Sequence, residues 1–202
     1  KWGVETVFVD GREIEQWKAA LSKPTKAVFL ESPSNPGLRL VDVKAVSDLA
    51  HKAGATVVVD NVFATPLLQQ PLQLGADVVV YSATKHIDGQ GRCLGGVILG
   101  SEKYINETLQ PFIRNTGPAI SPFNAWLLLK GIETLALRVD AASRAAAAIA
   151  DFLAEQPGVS RVWYPTREDH PQRALAAAQM TGGGTVVTFE VAGGKDAAFQ
   201  VM

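Results

Sequence analysis

The 202-residue sequence predicts an α/β fold, with a mainly parallel sheet flanked by helices and the start of a smaller α+β domain after it. Two observations carry this. Short, continuous apolar runs, Ala27-Val28-Phe29-Leu30, Thr56-Val57-Val58-Val59 and Val78-Val79-Val80-Tyr81, read as strands buried on both faces. Between them lie helix-period segments of the length a parallel crossover needs.

Taken in order, Val4 to Asp10 predicts a first strand, closed by Asp10-Gly11. Arg12 to Ser22 predicts a helix (Ile14, Trp17, Leu21), broken at Lys23-Pro24. After the strand at 27–30, the turn residues Glu31-Ser32-Pro33-Ser34-Asn35-Pro36-Gly37 form a loop. Val41-Asp42 opens a helix with apolar Val43, Val46, Leu49 and Ala50, stopped by Gly54. The strand at 56–60 ends in Asp60, and Ala64-Thr65-Pro66 begins a helical turn running to Gln70. The strand at 77–81 runs into Ser82-Ala83-Thr84-Lys85-His86, and Leu94 to Leu99 predicts a further strand.

Ser101 to about Phe112 reads as a helix, and Arg114 to Pro118 as a loop. Ser121-Pro122 is a helix start, N-cap then proline, for a helix to Lys130 that Gly131 interrupts. A long alanine-rich helix follows from Glu133 to Glu155, stopped by Pro157-Gly158. This places a domain boundary there: 1–155, the later part of a large domain with its connecting helix, and 156–202, the beginning of a small one. In the second part Val159 to Tyr164 and Gly184 to Val191 predict strands, with a short helix near Pro171 to Met180 between them and another beginning near Lys195. The sequence opens at Lys1-Trp2-Gly3, about to enter a strand, and stops at Met202 inside a helix, so we read it as a segment of a longer chain.

Composition narrows function. A net charge of −1 and 47% hydrophobic residues describe an ordinary globular protein, with no basic surplus for nucleic acid or an anionic membrane surface. The single cysteine, Cys93, excludes an internal disulfide framework and fits a reducing, cytoplasmic setting. No apolar run approaches the ~18 residues that span a bilayer. The three histidines, His51, His86 and His170, have no metal-ligand spacing. Gly89-Gln90-Gly91-Arg92-Cys93-Leu94-Gly95-Gly96 precedes a strand instead of opening a helix, which excludes a dinucleotide fingerprint. Surface roles suit Arg92 and Arg114, and Cys93 reads as a packed thiol.

In parallel sheets ligands bind beyond the carboxyl ends of the strands. The topology brings Asn35, Asp60 and the Ser82/Thr84/Lys85 group to one such edge. A lone lysine after a buried strand is usually solvated, so the case rests on its companions. Pyridoxal 5'-phosphate needs a lysine for a Schiff base, an anion for its ring nitrogen, donors for its phosphate and a group near its 3-oxygen. Lys85 suits the first role and Asp60, at the end of a buried strand, the second. Ser82 and Thr84 offer hydroxyls to the phosphate. Asn35, restrained between Pro33 and Pro36, suits a fixed donor. Each also has a plainer reading: Asp60-Asn61 as a turn, Ser82 and Thr84 as hydroxyls bonding their own backbone, Asn35 as a turn asparagine.

Three motifs, Glu31-Ser32-Pro33-Ser34-Asn35-Pro36, Val59-Asp60-Asn61-Val62-Phe63-Ala64-Thr65-Pro66 and Tyr81-Ser82-Ala83-Thr84-Lys85-His86, resemble in wording, order and spacing the Cys/Met-metabolism family of pyridoxal-phosphate-dependent enzymes. Ile87 to Arg92 and Gly117 to Trp126 are most similar to its branch acting on O-succinylhomoserine with sulfide. The resemblance implies an aspartate-aminotransferase-like fold (fold type I), with Lys85 carrying the cofactor and moving substrate protons. It implies Asp60 paired with the ring nitrogen, Ser82 and Thr84 on the phosphate, and Asn35 near the 3-oxygen and the substrate carboxylate. It also implies γ-replacement giving homocysteine and succinate in methionine biosynthesis, by a homotetramer built as a dimer of dimers. The alternatives within the family are a cystathionine γ-synthase or a γ-lyase; outside it, a non-catalytic α/β domain or an inactive fragment. The family's tyrosine-arginine pair, phosphate-binding glycine loop and ring-stacking aromatic would precede Lys1, and its substrate-carboxylate arginine would follow Met202.

Overall fold

The computed structural model describes residues 3–201; what the sequence suggests for Lys1, Trp2 and Met202 lies outside them. Helix α1 (Ile14–Ala20) leads to β1 (Ala27–Glu31), α2 (Val43–Lys52) and β2 (Thr56–Asp60). A short α3 (Thr65–Leu68) and a 3-10 turn (Pro71–Leu74) connect β2 to β3 (Val78–Ser82), which β4 (Gly96–Gly100) follows. These strands form one sheet in the order β1-β2-β3-β4; β1, β2 and β3 are parallel, and β4 runs antiparallel to β3. Asp42 caps α2 by accepting the Ala45 N–H, and the lysine and histidine in the last turn oppose the negative end of the helix dipole.

The sheet is two-faced. Val28, Leu30, Val57, Val59, Val79 and Tyr81 point to one side, where they pack with Trp17, Val43, Val46 and Ala50 of α1 and α2. Register sets the other side. Glu31 pairs with Asp60 and Asp60 with Val80, so Glu31, Asp60, Val80 and Ser82 share a face. That face is open at the β1 edge, with Phe29 66% exposed. The buried runs therefore bury one face fully and the other only in part.

One helical run comprises α4 (Glu102–Tyr104), a π turn (Ile105–Leu109) and α5 (Gln110–Thr116), and α6 (Pro122–Glu133) and α7 (Leu135–Ala154) follow. Of these helices, α6 adds Leu128 to the main core beside Ile87 and Cys93. A second, two-stranded antiparallel sheet pairs β5 (Val159–Trp163) with β6 (Thr188–Val191), with α8 (Arg173–Gln179) between them and α9 (Gly194–Val201) after. Its core joins Val162 and Tyr164 to Ala146 and Ala150 of α7. Among the described residues no helix is long and apolar enough to cross a membrane.

Three sequence expectations need correction. Val4 to Asp10 is extended but forms no strand: no partner strand lies beside it among the described residues, and Val4, Val7 and Phe8 are exposed. The helix after Ser101 does not end near Phe112; it runs to Thr116 and is closed by left-handed Gly117. Gly131 does not break α6, which continues to Glu133. Gly131 is instead the point where α6 crosses the chain after Lys85, and a Cβ there would lie 2.2 Å from the Ile87 carbonyl oxygen.

Candidate active site

The carboxyl edge of the first sheet gathers the polar groups. β2 delivers Asp60 and the neighbouring β3 delivers Ser82, on the same face, with Ser82 two residues beyond Val80, the register partner of Asp60. One oxygen of Asp60, Oδ1, accepts the Val62 N–H at 3.1 Å. That bond fixes the carboxylate and leaves Oδ2 without a partner among the described residues. The Ser82 hydroxyl and the Asn35 side-chain amide likewise make no hydrogen bond there, and Lys85 enters no ion pair.

Behind Asp60 lies a buried polar network that sequence reasoning missed. Asn61 Nδ2 lies 2.9 Å from the Gln69 carbonyl, 3.0 Å from the Thr65 carbonyl and 2.9 Å from the Tyr81 hydroxyl. Gln69 Nε2 donates to Asn61 Oδ1 and to the Ser32 carbonyl, both at 2.8 Å. The ends of β1, β2 and β3 are thereby bolted together. Thr65 is held at φ +60, a strained setting for a β-branched residue, by two bonds to Asn61. The only sequence signal was Asn61 itself, a polar residue directly after a strand.

Lys85 sits in a tight turn. Its N–H donates to the Ser82 carbonyl, Asp88 N–H to the Ala83 carbonyl and Gly89 N–H to the Lys85 carbonyl. Arg138 of α7 grips this turn from outside: Nη1 donates to the His86 carbonyl at 2.7 Å, and Nη2 to those of Ile87 (3.3 Å) and Gly131 (2.7 Å). Buried Asp88 accepts the Arg92 N–H at 2.5 Å and pairs with its guanidinium at 2.8 Å, so Arg92 is a structural partner. His86 Nε2 lies 2.6 Å from Thr185 Oγ1 and ties the turn to the chain before β6. Burial holds the His86 imidazole below its ordinary value, opposed in part by the Val62 backbone, and its Nδ1 has no hydrogen-bond partner within ordinary distance among the described residues. Lys85, His86, Phe63, Arg138 and Thr185 line a cleft of about 410 Å³.

Thr84 departs from the simple expectation. Its Oγ1 accepts the Gly95 N–H at 3.1 Å and lies 3.4 Å from the Gly95 carbonyl. The first bond anchors the hydroxyl, and the long second contact leaves its proton able to turn elsewhere. Cys93 is buried in the main core. His51 contacts Asp77 at 3.0 Å, away from Lys85.

The residues present fit pyridoxal phosphate: an unpartnered carboxylate oxygen, a free amine, a free hydroxyl and a free amide stand at one sheet edge. A sheet-edge lysine and carboxylate on such a fold define the class of fold-type-I pyridoxal-phosphate-dependent enzymes. Within that class, this chain belongs to the Cys/Met metabolism PLP-dependent enzyme family, whose model matches residues 1–202. It is 61% identical over 200 residues to O-succinylhomoserine sulfhydrylase of Mycobacterium tuberculosis, and 50% identical to that of Pseudomonas aeruginosa, covering 99% of this chain and 49% of each relative. The L-methionine gamma-lyase of Porphyromonas gingivalis is 43% identical over 100% of this chain and 51% of its own. The crystal structure of metB from Corynebacterium glutamicum superposes with a TM-score of 0.95 at 41% identity, covering 98% of this chain and 52% of that one. The chain thus spans about half the length of the curated relatives it matches.

Proposed function

We propose that the protein to which this chain belongs replaces the γ-substituent of O-succinylhomoserine with sulfide, giving homocysteine and succinate. The observation that carries this is the 61% identity to an O-succinylhomoserine sulfhydrylase across a chain that includes the whole Lys85 edge. Pyridoxal phosphate, when bound, supplies the electron sink for negative charge developing next to the substrate's amino-bearing carbon. Lys85 Nζ would attach the cofactor, take the α-proton from the substrate and carry protons between its carbons. Asp60 Oδ2 would accept the ring N–H and keep that ring cationic, and the Val62 N–H on Oδ1 holds the carboxylate in place. Ser82 and Thr84 would donate to the phosphate, and Asn35 would donate to the 3-oxygen. In balance, the C–O bond to succinate breaks at the γ-carbon and a C–S bond to sulfide forms there.

The finer organisation belongs to the same reading. Residues 1–155 form the later part of the large cofactor-binding domain and 156–202 the beginning of the small one. The assembly is a homotetramer working in the cytoplasm on a small amino acid. Support for an assembly comes from the exposed apolar side chains of α6, Phe123, Trp126 and Leu129.

The test is product analysis with the full-length protein. Given O-succinylhomoserine, it forms homocysteine with sulfide faster than cystathionine with cysteine. Predominant cystathionine, or 2-oxobutanoate from elimination, would assign it to the synthase or lyase branch instead.

A further inference from the structure

The loop carrying Asn35 leaves β1 with few backbone bonds of its own. Pro33 and Pro36 have no N–H to give. The Asn35 N–H donates to Glu31 Oε2 at 3.1 Å, back across the turn. Glu31 is the last residue of β1 and the register partner of Asp60, on the same face of the sheet. It is part-buried and enters no ion pair among the described residues. Burial raises its carboxyl above the ordinary range, the Asn35 N–H opposes this, and the charge of Asp60 adds to it. A part-buried carboxylate beside another carboxylate, with no ion pair among the described residues, is not held there by charge pairing. What it does provide is a strong, fixed acceptor for one N–H, that of Asn35.

We infer that Glu31 is a positioning residue: it fixes the backbone of Asn35 so that the asparagine amide meets the 3-oxygen of the cofactor. This rests on the reading of Lys85 and Asn35 given above.

The consequence is electronic. A donor on the 3-oxygen favours the more anionic, deprotonated form of the Lys85–cofactor linkage, so losing that donor raises the pH at which the linkage titrates. The experiment is an absorbance titration of the full-length protein with pyridoxal phosphate bound. Glu31→Ala raises the midpoint by about half to one pH unit. Glu31→Leu, which keeps the bulk, does the same if the alanine variant does not fold. Glu31→Gln keeps an oxygen acceptor and stays near the wild-type midpoint. Asn35→Ala shifts the midpoint upward, and adding Glu31→Ala to it shifts it no further. A wild-type midpoint in Glu31→Ala and Glu31→Leu overturns the inference, as does a Glu31→Gln shift as large as that of Glu31→Ala. A full-length protein that takes up no cofactor overturns the reading of Lys85 itself, which separates the two failures.

Discussion

At the scale of single residues, the edge divides into groups left free and groups that hold them. Among the described residues, Asp60 Oδ2 and the side-chain polar groups of Ser82, Asn35 and Lys85 have no partner; Val62, Asn61, Gln69, Arg138 and Gly95 hold the backbone and side chains around them. The free set was legible in the sequence because its members follow apolar strands. The holding set was not: Val62 and Gly95 act through backbone N–H groups that carry no sequence signal, Asn61 and Gln69 lie eight residues apart with no pattern linking them, and Arg138 reaches back 52 positions to His86. The structure also exposes a pH dependence. Burial depresses the imidazoles of His86 and His170 below the 6.5 of a free histidine. The unfolded chain therefore binds more protons than the folded one in this range, so their contribution is present above about pH 6.5 and is lost as pH falls. We expect thermal stability to drop between about pH 7 and pH 5, and less steeply in a His86→Gln variant. Glu31, raised in the folded state, has the opposite sign, so the comparison of variant with wild type isolates the histidine. An identical slope in the two proteins would contradict this assignment.

At the scale of elements, the strands and their parallel order followed from apolar runs separated by helix-length segments, and β2 has the predicted bounds of Thr56–Asp60. The failures were tertiary. Val4 to Asp10 has a strand's composition, but a strand needs a neighbour to bond. Gly131 has a helix breaker's identity, yet its lack of a side chain is what lets α6 lie against the turn bearing Lys85. Glycine in a helix interior costs about 1 kcal/mol relative to alanine, so sequence reasoning takes it for a stop. Gly131→Ala tests the crossing. The added methyl would gain helix propensity but meet Ile87 and Asp88 backbone, and we expect a net loss of about 1–3 kcal/mol in urea unfolding, with weaker cofactor binding because the Lys85 turn must shift. A variant more stable than wild type would show that α6 does not set that turn.

At the scale of the whole molecule, the segments flanking the two-stranded sheet meet the main sheet around the loop and turn that carry Asn35 and Lys85. Gln172 makes a two-way bond with the Leu40 backbone at 2.9 and 2.6 Å, Thr188 donates to the Pro36 carbonyl at 2.5 Å, and Thr185 meets His86. None of these contacts was visible in the sequence, since glutamines and threonines carry no pattern. The open face of the main sheet and the outer face of α6 leave Phe29, Phe123 and Trp126 exposed on a chain half as long as its relatives. Function is therefore to be measured on the full-length protein. In the proposed function, Lys85 is the lysine that attaches the cofactor. Borohydride reduction of the full-length protein loaded with pyridoxal phosphate makes that bond permanent, and peptide mass spectrometry then locates it. The reduced pyridoxyl-phosphate group is predicted on Lys85, in the peptide that runs through Ser82 and Thr84; the same group on a different lysine, or on none, would contradict the claim.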